Sequence, residues 1–157
     1  MTALKRHVIT GEDRTKTISA LQACLADLID LALQGKQAHW NVVGANFRSV
    51  HLQLDEIIDQ ARNASDAVAE RIVTLGDPAD GRCTRVAEGT RLPPYPTGLQ
   101  GVSETVTLTA DRLEKVIAGL RVAIATVGDP DPVTEDLLIG VAGELEKSLW
   151  MVQAQEG

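Results

Sequence analysis

Apolar residues recur at intervals of three and four in four separate stretches of this chain. Ile18, Leu21, Leu25, Leu28, Ile29 and Ala32 mark the first, over residues 17–40. Val50, Leu54, Ile57, Ile58, Ala61, Val68, Ile72 and Leu75 mark the second, over about residues 46–75. Val106, Leu113, Val116, Ile117, Leu120 and Ile124 mark a third, beginning near Gly101 or Ser103. Leu137, Leu138, Val141, Leu145, Leu149 and Val152 mark the last. Such spacing returns to one face of a 3.6-residue helix, so it predicts four amphipathic helices.

The breaks between them carry their own chemistry. Residues 41–44 end in Gly44, suited to a left-handed exit, and Gly76-Asp77-Pro78 stops the second helix. Asp131 followed by Pro132 reads as an N-cap with proline at the first helical position. Residues 77–100 hold three glycines and four prolines, a long connection for a compact domain. A short helical turn near residues 84–88 would relieve it. Short, long and short connections predict an all-α fold, a four-helix bundle with one long crossover, which is the ferritin-like arrangement. Residues 1–16 read as a polar arm with Lys5, Arg6, His7, Arg14 and Lys16, and residues 17–157 as one domain. His7 has no partner at metal spacing and reads as a solvated arm residue.

Composition narrows the class. Hydrophobic residues make up 44% and aromatics only 3%, which suits packed helices. No uninterrupted apolar run reaches the roughly 18–20 residues needed to span a bilayer. The N-terminus has no apolar signal core, so the expected location is the cytoplasm and no membrane partner is expected. Cys24 and Cys83 do not make a disulfide framework, and Cys24 reads as a small buried residue of the first helix. The net charge of −7 opposes nonspecific DNA binding and suits attraction of cations.

Five residues carry candidate metal chemistry: His39, His51, Asp55, Asp66 and Glu70. On the second helix, positions 51, 55, 66 and 70 fall at about 0°, 40°, 60° and 100°, one stripe. Along the axis, Asp55 and Asp66 are roughly 16 Å apart. Metal–ligand bonds of about 2 Å do not reach across that gap. Two copies of the helix, antiparallel across a two-fold axis, would bring each His51/Asp55 pair to the partner's Asp66/Glu70 pair. An intrachain di-iron centre built on two Glu-x-x-His pairs is excluded, because none of the three histidines lies three residues after a glutamate. Imidazole and carboxylate ligands suit Fe, Mn or Zn alike.

The run His39-Trp40-Asn41-Val42-x-Gly44-x-x-Phe47-x-x-x-His51-x-x-x-Asp55-Glu56 resembles the signature of the Dps family, the DNA-protecting miniferritins. Asp66-x-x-Ala69-Glu70-Arg71-Ile72-x-x-Leu75-Gly76 continues the resemblance, as do Thr134-x-Asp136-Leu137-Leu138 and Glu144-x-Glu146-Lys147-x-x-Trp150-Met151. It covers roughly residues 17–155. It implies a hollow dodecamer with ferroxidase centres at two-fold interfaces. His39, His51 and Asp55 would come from one subunit, Asp66 and Glu70 from the next. Fe(II) would be oxidised there, by hydrogen peroxide in preference to oxygen, and stored as ferric oxyhydroxide. Lys36 and Arg71 would hold the metal-binding carboxylates in place or serve as ordinary salt-bridge partners, and Trp40 would serve as packing or as an oxidisable ring.

The resemblance also implies an acidic pore for iron at a three-fold axis, lined by Asp131, Glu135 and Asp136. The alternative for these acids is helix-start electrostatics. In the family DNA is often bound by a Lys-rich tail. Here the arm has a net charge of only +2, from Lys5, Arg6, Arg14 and Lys16 against Glu12 and Asp13, and the C-terminus has no basic tail. An architectural, DNA-compacting shell and a zinc- or manganese-holding shell stand as alternatives to the iron-oxidising one.

Overall fold

The structure, a computed structural model, describes residues 4–156. Four long helices form the bundle: α1 (Gly11–Asn41), α2 (Phe47–Thr74), α4 (Val102–Val127) and α5 (Pro132–Gln153), with the short α3 (Cys83–Gly89) in the crossover. The core is drawn from the predicted stripes, with Leu21, Leu28, Leu54, Ile58, Ile72, Leu113, Leu120 and Leu145 almost wholly buried. By length and composition α1 is apolar enough to cross a membrane. Leu21, Leu25, Leu28 and Leu31 of this helix are core residues of the bundle, with half of its most apolar stretch buried.

Two short strands record the topology. β1 (Val42–Val43) leaves α1 and β2 (Gln100–Gly101) enters α4, and they pair in parallel, Val42 opposite Gln100. Since α2 begins at the same end of the bundle, α2 and α4 run parallel and the crossover must travel the full bundle length. The predicted short helix exists within it.

The crossover is fixed to α1 by polar groups that a hydrophobic pattern does not reveal. Gln22 exchanges two hydrogen bonds with the Asp80 backbone. Asp27, fully buried, accepts from the Arg91 backbone N–H at 2.8 Å and from its guanidinium at 2.6 and 2.8 Å. Asp30 accepts from Thr90 at 2.7 Å. Arg112 of α4 closes the far end, donating to Gln34 and to the carbonyls of Pro93 and Pro94. Buried charges survive only when paired in this way.

The first helix begins earlier than the apolar pattern predicts, at Gly11 instead of residue 17, so residues 11–16 of the expected arm are helical. The cause is tertiary: Arg14 donates to the Leu75 carbonyl at 2.7 Å and pairs with Asp77, tying the first turns of α1 to the end of α2. That end is a Schellman motif. Gly76 takes a φ of 95°, its N–H reaching the Val73 carbonyl and that of Asp77 the Ile72 carbonyl. His7 is exposed at this same turn, and Cys24 is buried as expected, its thiol pushed up to about 11 by burial.

Candidate metal centre

The turn between α1 and α2 creates the site. Gly44 (φ 120°) and Asn46 (φ 61°) both adopt positive φ, which glycine tolerates freely and asparagine better than most residues. The chain thereby reverses, and the second turn of α2 comes back beside the last turn of α1. Gly35, one turn before His39, lets the helices approach closely: a Cβ there would sit 2.8 Å from Ile58 Cγ1.

His39 and His51 meet across this junction with ring centroids 3.6 Å apart and planes at 24°. His39 Nδ1 donates to the His51 carbonyl at 3.0 Å, and His51 Nδ1 donates to the His39 carbonyl at 2.9 Å. A carbonyl only accepts, so both Nδ1 atoms carry hydrogen, which makes Nε2 the nitrogen through which either ring could bind a metal. His39 Nδ1 also lies 3.3 Å from Asp55 Oδ1. Asp55 completes the group: ligand atoms of His39, His51 and Asp55 all lie within 4.8 Å of one another. Its Oδ1 accepts from Lys36 Nζ at 2.6 Å, and that ammonium holds the Asp55 carboxyl below the usual carboxylate range. The donor set, two imidazoles and one carboxylate, fits a first-row divalent ion and leaves coordination positions open.

Asp66 and Glu70 do not join them. Both are exposed on α2, and neither carboxylate has a hydrogen-bond or ion-pair partner among the described residues. The single chain therefore presents two separated halves of the predicted ligand set.

Residues 18–156 match the ferritin-like domain family. The chain is 37% identical over 150 residues to the DNA protection during starvation protein of Agrobacterium fabrum, covering 95% of this chain and 93% of that one. The chain belongs to the Dps family. Among solved structures it resembles Mycobacterium smegmatis Dps, with TM-score 0.92 and 34% identity over 98% of this chain and 93% of that one. DpsA14 of Streptomyces coelicolor gives 0.91 and 37%, over 96% of this chain and 90% of that one.

Other positions singled out by the Dps resemblance are placed differently from the expectation. Among the described residues Arg71 makes no side-chain hydrogen bond to Asp55, Asp66 or Glu70. It reaches α5, donating from Nε to Thr134 Oγ1 at 2.8 Å and from Nη2 to Asp131 Oδ2 at 2.7 Å. Asp131 is correspondingly 4% exposed and cannot line an open pore from there. Burial pushes its carboxyl up, but the Thr134 hydroxyl and the Arg71 guanidinium outweigh that and hold it below the usual range. Pro132, next in chain, does take the first helical position as predicted. Asp136 is exposed, and Glu135 is half-buried with its carboxylate lying over Gly128. Trp40 is 70% exposed, so it packs little within its own chain. Sequence reasoning missed the Arg71–Asp131 pair, since charges 60 residues apart leave no periodic signal.

Proposed function

We propose that this protein oxidises Fe(II) and stores the ferric product inside a shell of identical subunits, a hollow dodecamer. One observation carries the reading. Two imidazoles are held through Nδ1, which leaves Nε2 to act as donor, and Asp55 lies within ligand distance of both, while Asp66 and Glu70 stand uncommitted on the same helix. A two-fold axis would unite each triad with the partner's Asp66 and the partner's Glu70.

Fe(II) is the substrate. His39 and His51 would bind it through Nε2, and the three carboxylates would supply anionic oxygen donors that favour the more highly charged product. Lys36 keeps Asp55 ionised and oriented. Hydrogen peroxide, the preferred oxidant of this reading ahead of oxygen, takes one electron from each of two Fe(II). Its O–O bond breaks to give hydroxide, and no hydroxyl radical forms. The ferric ions hydrolyse, releasing protons, and collect as oxyhydroxide. Glu135 and Asp136 remain candidates for the iron-admitting pore. Removing iron and peroxide together would protect DNA in the cytoplasm, in keeping with the name of the Agrobacterium fabrum relative.

Stopped-flow oxidation of Fe(II) by peroxide on metal-stripped protein tests this. Oxidation well above the protein-free rate is expected, and it should fall to that rate in Asp66→Ala/Glu70→Ala with the assembly intact. An undiminished rate in that variant overturns the site assignment. Calorimetric competition with Zn(II) and Mn(II) separates an iron site from a metal-holding shell.

A second reading, direct DNA compaction, rests on the exposed Lys5 and Arg6. Arg14 is already committed to Asp77 and Leu75, which leaves the arm less basic than its composition suggests. A gel shift with and without residues 1–10, at low and moderate salt, decides it; no shift in either form ends this reading.

A further inference from the structure

A two-fold axis that brings His51 and Asp55 to the partner's Glu70 and the partner's Asp66 must cross α2 at the midpoint of both pairings. That midpoint lies between residues 60 and 61, so facing positions in the two copies sum to about 121. The ligand stripe spans about 100° of the helix. On it Arg62 sits at about 20° and Asp59 at about 80°, and these two are the stripe residues nearest the axis. Each is level with the other residue's counterpart in the second copy.

Both side chains are free to meet such a partner. That of Asp59 is 74% exposed and that of Arg62 58%, and within the chain they approach only to 4.0 Å without a hydrogen bond. Leu52 and Val73, each 45% exposed, lie on the same stripe, level with Ala69 and Arg48 of the second copy. Beside the stripe runs a groove of about 330 Å³ between α1 and α2, bordered by Leu33, Trp40 and Arg62, the first two 60% and 70% exposed. A second copy seated across this stripe would cover Leu52 and Val73.

We propose that Asp59 and Arg62 form the centre of a self-complementary interface with a second copy of this chain. Each Arg62 guanidinium meets Asp59 of the partner subunit, and the resulting ring of four charges sets the register in which the two halves of the metal site face each other. The inference rests on the two-fold metal site proposed above. Its physical basis is a contrast along the stripe. At the ligand positions Asp55 lies level with the partner's Asp66, so carboxylate faces carboxylate, and only the Asp55 side has an ammonium, that of Lys36, to offset it before a cation arrives. At the axis opposite charges face each other whether or not metal is bound. The ring therefore supplies specificity to the metal-free assembly, the usual role of complementary charge at an interface.

Charge reversal tests it on metal-free, full-length protein. Arg62→Asp places four carboxylates at the axis and Asp59→Arg four guanidinium groups. Each should raise the dissociation constant of the two-fold contact at least about tenfold by analytical ultracentrifugation, with helicity unchanged because both side chains are exposed. The combined Asp59→Arg/Arg62→Asp variant rebuilds the ring with its signs exchanged and should return to within about threefold of the original. For an assembly too tight to dilute, the urea midpoint of subunit release gives the same comparison. Unchanged dissociation in the single variants, or a double variant no better than the singles, overturns the inference. The two readings fail separately. Silent charge reversals alongside abolished oxidation in Asp66→Ala/Glu70→Ala would refute the ring and keep the metal site. The reverse pattern would keep the interface and refute the metal site.

Discussion

His39 and His51 are each anchored by the other residue's backbone: the two Nδ1–H groups donate to the opposite carbonyls at 3.0 and 2.9 Å. Neither imidazole depends on the other's side chain for its tautomer. Replacing one by alanine therefore removes one ligand and leaves the second correctly presented. Anaerobic calorimetry with Co(II), which resists oxidation, should show affinity reduced by about ten- to a hundredfold in His39→Ala and in His51→Ala, and binding lost when both are replaced. Complete loss in either single variant, at unchanged helicity, would contradict independent anchoring.

Gly35 controls the distance between the helices that carry the site. In Gly35→Ala the new methyl group meets Ile58 Cγ1 at 2.8 Å, and Ile58 is buried, 1% exposed. Alanine gains about 1 kcal/mol of helix propensity, but overpacking costs about 1–3 kcal/mol. The net expectation is destabilisation by about 1 kcal/mol, read as a lower urea midpoint. His39 lies one turn along α1 and Asp55 one turn back along α2, so Co(II) affinity should fall as well. A more stable variant with unchanged affinity would show that the contact relaxes without cost.

The Arg71–Asp131 pair ties α2 to the start of α5 and makes stability depend on pH. The folded state holds the Asp131 carboxyl below its ordinary range. The pair's contribution is thus fully present above that ordinary range and is lost as pH falls through the lowered value. With side chains only 14% and 5% exposed, Arg71→Ala leaves a buried carboxylate uncompensated. It should cost about 3 kcal/mol at neutral pH. In the variant burial alone acts on Asp131 and favours the protonated form. The difference between original and variant should therefore shrink toward acid pH in urea titrations. A difference independent of pH would assign the effect to lost packing.

Much of this fold is local and therefore legible. Ile57, Ile58, Ala61, Val68 and Ile72 are buried as their spacing requires, because helical periodicity places a residue by its neighbours alone. The short crossover helix and the proline at the start of α5 follow from equally local chemistry. The candidate site divides along the same line. His51 and Asp55 are one turn apart on one helix, and a single tight turn brings His39 to them. For Arg71 two readings stood, support of a metal-binding carboxylate or an ordinary salt bridge, and its guanidinium finds a carboxylate on another helix.

Sequence alone determined which residues share a helix face, where the helices break, and that α2 carries two pairs of candidate ligands too far apart to close on one ion. Periodicity and reach depend only on bond geometry and residue order. Tertiary structure decided which polar groups meet across helices: Arg71 with Asp131, Asp27 with Arg91, and each histidine with the other's carbonyl. Those pairings join residues far apart in the chain, and a buried charge takes whatever partner the packed helices bring within reach.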